Sequence, residues 1–465
     1  MNTNRNILNN INLLKKYDIY SFDYIEYPHK SFWKKEIKQE DIKSRLRKLI
    51  NDQVPTMLYV HIPFCEQLCM FCICHRQITS DSKVALKYLK ESLFLEIDLM
   101  RSIAKETGKS FNFKELYFGG GSPTFLNEEE FKILKEKLNE IIDFSKINEF
   151  SVEIDPRRVK SDRLLFYHTQ GVNKLSFGVQ DFDSQVQENI NRVQPSKLID
   201  DILTKEVRDS FRSINFDLLV GLPGQTIKTI SSTIKEVIRL RPDRVALAYL
   251  AYNPDFHPHQ RHMMMKSLLP DFYERKELFV EAVEMLSSSE YIRTGFEHFA
   301  LPHDRVSKSL SKGKAYYNSF GATTGDCTSV LALGRSSYST IGDDLYYQNH
   351  YKQNEYQSSL ESGKFPLERG WILDNDSIIR RDIIKNIRTY FEFDKDEINE
   401  KYEINFDKYF KKELERLKMF FKDELIYTEK SKIVATDLGK HFANLIGSNF
   451  DTFISSERFK KNINI

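Results

Sequence analysis

The chain has 465 residues, with 69 Lys and Arg against 67 Asp and Glu, a net charge of +2. That balance gives nucleic acid no basic footprint to bind, and 40% hydrophobic with 29% charged residues is a globular rather than a disordered composition. No apolar run reaches the roughly 18 residues of a membrane helix, and the N-terminus (MNTNRNILNNINLLKKYDIY) has no apolar signal core or cleavage site, so a cytoplasmic chain with no membrane partner is expected.

Residues 1–50 read as an extension carrying Tyr17, Tyr20, Tyr24 and Tyr27-Pro28. Strand-like runs follow at 57–63, 115–121, 149–156, 174–180, 214–221 and 244–251. Helical periodicity fills about 82–105, 128–143, 160–170, 184–206 and 226–240. Strict strand–helix alternation predicts an α/β fold with parallel strands and helical crossovers. An open or partial barrel and a doubly wound sheet both fit this count. In either, the chemistry belongs at the strand C-termini. A polar loop, PDFHPHQRHMMM, leads to a helix near 270–289, and a Gly/Ser/Thr-rich strip spans 321–342. From about 375 the chain turns charged and helical, as in KKELERLKMFF. The expected division is an extension (1–50), a barrel (51–260), a barrel-closing and substrate segment (261–374) and a helical domain (375–465).

Four of the five cysteines fall within ten residues, Cys65, Cys69, Cys72 and Cys74. In a reducing compartment this clustering means a metal or redox site. Three thiolates on one short loop can hold three irons of a [4Fe–4S] cube and leave the fourth open to a small chelator. Cys74 is expected to point away from the cube. Zinc held by these cysteines with His75 is the competing reading, although structural zinc usually takes two separated pairs. The run Gly119-Gly120-Gly121-Ser122-Pro123-Thr124 ends the second strand. Its glycines let backbone approach a ligand without a Cβ clash.

YVHIPFC-x3-C-x2-C followed by GGGSPT resembles the radical S-adenosylmethionine (SAM) superfamily. Cys74, Ser151 to Pro156, Phe177 to Phe182, Asp217 to Pro223 and Glu297 to Ala300 narrow the resemblance. Together they resemble the oxygen-independent coproporphyrinogen III oxidase (dehydrogenase) family, over nearly the whole chain. The resemblance implies a partial (β/α)6 barrel with a C-terminal, mostly helical domain. It implies that Cys65, Cys69 and Cys72 ligate the cluster, and that Tyr59, Gly120 and Glu153 hold the SAM on its open iron. Phe71, Gly121, Ser122, Gln180, Arg192, Asp217 and Ala251 match positions that hold a second SAM, and Tyr338 falls at a SAM-facing position. The implied reaction takes a hydrogen from the β-carbon of a substrate propionate with a 5′-deoxyadenosyl radical. Loss of CO2 and one electron then leaves a vinyl group. The implied partners are a tetrapyrrole-like substrate and an electron donor such as flavodoxin or ferredoxin, with the chain a monomer.

Several substrate-side positions depart from the family pattern: Phe22-Asp23 before Tyr24, Leu250-Ala251-Tyr252, Phe320, Arg335, Tyr338 and Ala443-Asn444. They leave open a paralogue in which the second SAM serves a methyltransferase or cyclopropanase. A heme-trafficking relative is a further reading, against which stands Cys74, where such relatives carry Phe. His257, His259 and His262 read as a polar loop, Met263 to Met265 as adaptable packing. Cys327 reads as a buried small side chain, and Arg458 to Lys461 as a solvated tail.

Overall fold

In the computed structural model, which describes residues 11–17, 24–265 and 268–454, the six apolar runs are strands of one sheet. They are β1 (Thr56–Ile62), β2 (Phe113–Gly120), β3 (Glu149–Ile154), β4 (Lys174–Gln180), β5 (Ser213–Val220) and β6 (Arg244–Tyr249). Each pairs in parallel with the next. Alternation splits every strand between two faces. Leu58, Val60 and Ile62 are buried in the outer core, while Met57 and Tyr59 turn inward to Tyr117 and Phe320.

Helices cover the outer face: α1 (Phe94–Thr107), α2 (Glu128–Leu138), α3 (Ser161–Thr169), α4 (Ile227–Leu240) and α5 (Phe272–Ser287). In α4, Ile230, Ile234, Val237 and Leu240 recur at helical spacing and are buried. Each such side chain contributes about 1.5–3 kcal/mol on full burial. The Thr229 N–H donates to Thr226 Oγ1 at 3.2 Å to cap its start, and Arg241, with φ 50°, ends it.

On the inner face Arg244 of β6 donates to Glu149 of β3 at 3.0 Å and to Asp304 at 2.9 Å. Lys174 of β4 donates to Glu149 at 2.9 Å. In a flat sheet β3 and β6 would lie about 14 Å apart. Contact across two intervening strands shows that the sheet curls into an open barrel. Glu149, Lys174 and Arg244 are first residues of their strands. This ionic plug therefore closes the N-terminal end, and the C-terminal ends open toward the loops.

The sheet does not stop at six strands. It adds β7 (Ile292–Arg293), β8 (His298–Ala300), β9 (Ser329–Leu333), β10 (Tyr338–Ile341), β11 (Leu345–Asn349) and β12 (Leu367–Ile372). The order is β12-β11-β10-β9-β1-β2-β3-β4-β5-β6-β8-β7. β9 runs parallel to β1, and the outer arms are antiparallel. The helix expected over 184–206 is three short helices, Ser184–Asn189, Ser196–Ile202 and Lys205–Ser210. Asn191, at φ 56°, and Pro195 break it, and the break turns Arg192 into the barrel mouth.

The C-terminal region adds α6 (Asn375–Tyr390), further helices and a three-stranded sheet of Glu392–Asp394, Ile426–Glu429 and Lys432–Ala435. The extension is tied to it: Tyr24 donates to Asp451 at 2.9 Å and Tyr17 to Asp423 at 2.6 Å. Tyr20, Phe22, Asp23 and Arg458 to Lys461 lie outside the described residues. Among the described residues no helix is long and apolar enough to cross a membrane.

Candidate active site

The loop between Phe64–Cys65 and Gln77–Ile78, two short strands that pair with each other, carries the cysteines. Arg157 and Arg192 both donate to Cys69 Sγ, at 3.6 and 3.4 Å. Burial first, and the neighbouring Cys72 and Cys69, push the Cys65 thiol up to about 12. Three thiolates this close do not ionise together readily without a cationic group among them. Cys65, Cys69 and Cys72 do not all bring their sulfurs within 4.8 Å of one another. Three sulfurs on one tetrahedral zinc, with Zn–S near 2.3 Å, would lie about 3.8 Å apart. The donor set thus fits an iron–sulfur cube better than a single zinc ion. Cys74 does not point away as expected. Its thiol is hydrogen-bonded to Cys72, which lowers the Cys72 thiol to about 6.

Beside this loop stands the glycine strip. The N–H groups of Gly121 and Ser122 donate to the Ile62 and Phe64 carbonyls at 2.9 and 2.8 Å, which locks the end of β2 to the start of the cysteine loop. Gly120 has φ +114°, and a Cβ there would stand 2.5 Å from the His61 ring. Its N–H donates to Glu153 Oε2 at 3.0 Å, and Tyr117 donates to Oε1 at 3.2 Å. Burial, then the charge of Asp217, raises the Glu153 carboxyl to about 8. Tyr59 lies on the adjacent strand, its hydroxyl 3.0 Å from His61 Nδ1. A carboxylate with a second carboxylate, Asp217, and the Cys72 and Cys74 thiols near it makes a pocket that favours a cation, and SAM brings both a sulfonium and an ammonium.

The remaining candidates lie further round the mouth. Asp217 accepts from Ser176 at 3.0 Å and Asn215 at 2.8 Å. Gln180, φ 68°, sits at a bulge in β4, with its amide toward Gly178 and Arg192. Arg192 is 8% exposed. It donates to the Gly178 carbonyl at 2.8 Å and lies 3.5 Å from Asp155. Phe71 packs with Leu222, Leu250 and Met263. Tyr338 lies apart on β10, edge-on to Trp33 at 5.6 Å.

Two residues to which the sequence assigns no role hold the site's backbone: His61, inside the YVHIPFC motif, and Gln260, which with Arg261 matches the family in the loop after β6. His61 donates from Nε2 to the His75 carbonyl at 3.0 Å. Gln260 is fully buried. It donates to the carbonyls of Phe71 and Ala251 at 3.1 and 2.8 Å and accepts from the Asn253 N–H at 2.6 Å. Both act on backbone carbonyls, so the motif shows that they are present but not what they hold.

An open parallel barrel with a three-cysteine loop and a glycine strip at its C-terminal mouth defines a radical SAM protein, and residues 59–237 match the Radical SAM superfamily. Oxygen-independent coproporphyrinogen III oxidase of Pseudomonas aeruginosa is 33% identical over 97% of this chain and 97% of its own. The Escherichia coli protein of that name is 32% identical over 95% of each, and that of Synechocystis 31% over 96% and 95%. The solved structure of coproporphyrinogen III oxidase (HemN) from Escherichia coli, described as a radical SAM enzyme, superposes with a TM-score of 0.85 over 95% of this chain and 98% of that one. The chain belongs to the oxygen-independent coproporphyrinogen III oxidase family. It is accordingly a radical SAM oxidoreductase with a [4Fe–4S] cluster and SAM as cofactors.

Proposed function

We propose that this chain oxidatively decarboxylates propionate side chains of coproporphyrinogen III to vinyl groups, giving protoporphyrinogen IX. The observation that carries the reading is the cysteine loop set against the Gly120–Glu153 pair in a chain related to this family from end to end. In this reading Cys65, Cys69 and Cys72 hold the cluster, and Tyr59, Gly120 and Glu153 hold its SAM. Phe71, Gly121, Ser122, Gln180, Arg192, Asp217 and Ala251 surround a second SAM, and Tyr338 on β10 stands at a SAM-facing position. When bound, the cluster and SAM supply the electron and the 5′-deoxyadenosyl radical that takes the hydrogen.

The protein's own work is to bind, orient and exclude water. Glu153 offers its carboxylate to an ammonium, Arg192 its planar fork to a carboxylate, and Asp217 its oxygens to ribose hydroxyls. The hydrogen bonds of Tyr117 and Gly120 fix the Glu153 carboxylate before any ligand arrives. Under the same reading the chain is a cytoplasmic monomer that takes electrons from a flavodoxin or ferredoxin.

The test is anaerobic incubation of reconstituted protein with reductant, SAM and coproporphyrinogen III, with vinyl products followed by chromatography. 5′-Deoxyadenosine together with protoporphyrinogen is expected. 5′-Deoxyadenosine without a vinyl product would reject this substrate, and S-adenosylhomocysteine beside it would indicate methyl transfer instead.

A further inference from the structure

Four cations ring the mouth of the barrel with no carboxylate among the described residues to neutralise them. Lys30 sits in the short turn Lys30–Phe32 of the extension. Arg76 ends the cysteine loop, its Nη1 donating to the Cys74 carbonyl at 2.7 Å. Arg335 follows β9, whose Leu333 is the register partner of Val60, and is 6% exposed. Arg369, on β12, donates from Nε to Gln348 Oε1 at 2.8 Å.

Other buried arginines of this protein hold acids: Arg244 has Asp304, Arg380 has Glu413 and Arg388 has Glu297. Among the described residues none of the four rim cations is ion-paired to a carboxylate. Glu368, next to Arg369, lies on the opposite face of its strand and is held by His350 at 2.8 Å. Arg76 Nη2 bonds to His259 at 2.8 Å and Arg335 Nη2 donates to Gln77 Oε1 at 3.3 Å, but among the described residues Nε of Arg76, Nε of Arg335 and Nε2 of His75 are buried with no hydrogen-bond partner. The groups also crowd one another. Lys30 stands near Arg369 and Cys74, and His75 near Arg335 and Arg76. Buried donors left unmade cost about 1–3 kcal/mol each. Such an arrangement suits a site whose acceptors arrive with a ligand.

The sheet register ties this rim to the reaction site. Tyr59 pairs with Ala332. The Val330–Thr340 pairing sets Ala332 opposite Tyr338. Tyr338 pairs with Gln348, and Gln348 with Arg369. One cross-strand row therefore carries Tyr59, Tyr338, Gln348 and Arg369 on the same face. Four strand spacings of about 4.8 Å put Arg369 roughly 19 Å from Tyr59 along the sheet.

We propose that Lys30, Arg76, Arg335 and Arg369 form a carboxylate-reading rim that holds the propionates of a tetrapyrrole substrate that are not reacting, and thereby decides which one reaches the Tyr59–Glu153 site. This rests on the coproporphyrinogen reading above. Such a substrate carries four carboxylates, and only one can stand at the reacting position at a time. The other three need cations at a distance, and this rim supplies them. Charge-assisted bonds from planar guanidinium groups also fix direction, so the rim orients the macrocycle as well as binding it.

The test uses reconstituted, SAM-loaded holoenzyme and two non-reacting porphyrins, coproporphyrin III with four carboxylates and mesoporphyrin with two, titrated by fluorescence quenching. Wild-type protein is expected to prefer the four-carboxylate porphyrin. Lys30→Gln, Arg335→Gln and Arg369→Gln should each reduce that preference about ten-fold, the loss of one charge-assisted bond. The KM for coproporphyrinogen should rise in step, while iron content and SAM binding stay near wild type. Arg335→Lys and Arg369→Lys should restore part of the preference. Lys30 and Arg369 are accessible enough that their variants report even if Arg335→Gln folds poorly. An unchanged preference in the Lys30 and Arg369 variants, or a loss of kcat at constant KM, would overturn the rim. A wild-type protein that prefers the four-carboxylate porphyrin yet forms no vinyl product would instead overturn the reaction assignment and leave the rim standing.

Discussion

The Tyr59 hydroxyl donates to His61 Nδ1 at 3.0 Å because the other ring nitrogen of His61 is committed to the His75 carbonyl, also at 3.0 Å. A carbonyl can only accept, so Nε2 carries the proton and Nδ1 must accept. Burial keeps the imidazole neutral, its pKa lowered to about 3. One ring thus links the inner face of β1 to the far end of the cysteine loop. His61→Leu is expected to leave both the Tyr59 hydroxyl and the His75 carbonyl without partners, at about 1–3 kcal/mol each. SAM affinity of the reconstituted protein, measured by equilibrium dialysis, should fall about ten-fold or more. Unchanged affinity would mean that the Tyr59 orientation does not depend on His61.

The glycine strip makes a sharper prediction, because the two glycines differ in what blocks them. At Gly120 an added Cβ meets the His61 ring, a side chain that can rotate, but φ is +114°. At Gly121 it meets the Phe64 carbonyl oxygen and nitrogen at 2.7 and 2.8 Å, which are backbone. Gly121→Ala must therefore push Phe64, and with it Cys65, away from β2. The expected result is a folded protein with a lower melting temperature, by about 1–3 kcal/mol of overpacking, that retains less than half the wild-type iron after anaerobic reconstitution. Full iron content in Gly121→Ala would show that the loop position does not depend on this contact.

These residues also show what the sequence could and could not tell. The six parallel strands were legible because strands buried on both sides read as continuous apolar runs. The arms β7 to β12 were not, since β7 has two residues and β9 and β10 lie inside a Gly/Ser/Thr-rich strip. The stretch 184–206 reads as one helix by periodicity, and Asn191 and Pro195 override it. Cysteines and glycines were legible because their chemistry limits what they can do at close spacing. His61 and Gln260 were legible as motif and family positions but not in their roles, because each works through main-chain carbonyls that any residue supplies. The rim cations are separated by up to 339 positions (369 − 30) and meet only once the sheet register is known.

Gln260 joins the cysteine loop to the segment after β6. Its amide holds the Phe71 and Ala251 carbonyls and the Asn253 N–H from a fully buried position. Gln260→Leu keeps much of the volume and removes all three bonds, leaving buried carbonyls unsatisfied. The expected loss is about 2–4 kcal/mol of stability by denaturant titration. Cluster iron should also be released faster to a chelator, because Phe71 lies between Cys69 and Cys72. Gln260→Glu keeps the acceptor for Asn253 but offers no donor to the carbonyls, and should lie close to Gln260→Leu. A wild-type iron release rate in both would show that the 251–260 segment does not restrain the loop.

Glu96 on α1 makes the pH dependence testable away from the cysteines. It is 2% exposed and accepts from the Gly334 N–H at 2.7 Å, Asn349 Nδ2 at 2.7 Å and the Tyr356 hydroxyl at 2.5 Å. Burial outweighs these bonds and raises its carboxyl to about 7. The folded protein thus holds this proton more tightly than the unfolded chain, whose carboxyl titrates near 4.5. The stability it confers is fully present below pH 4.5 and is lost as pH rises through 7. The rise from 4.5 to about 7 corresponds to about 3 kcal/mol. Denaturant midpoints measured from pH 5 to 8 should decline in wild type, and Glu96→Gln should flatten that decline while lowering stability at pH 5, where its amide cannot satisfy three donors with one oxygen. An identical slope in the two proteins would place the proton elsewhere.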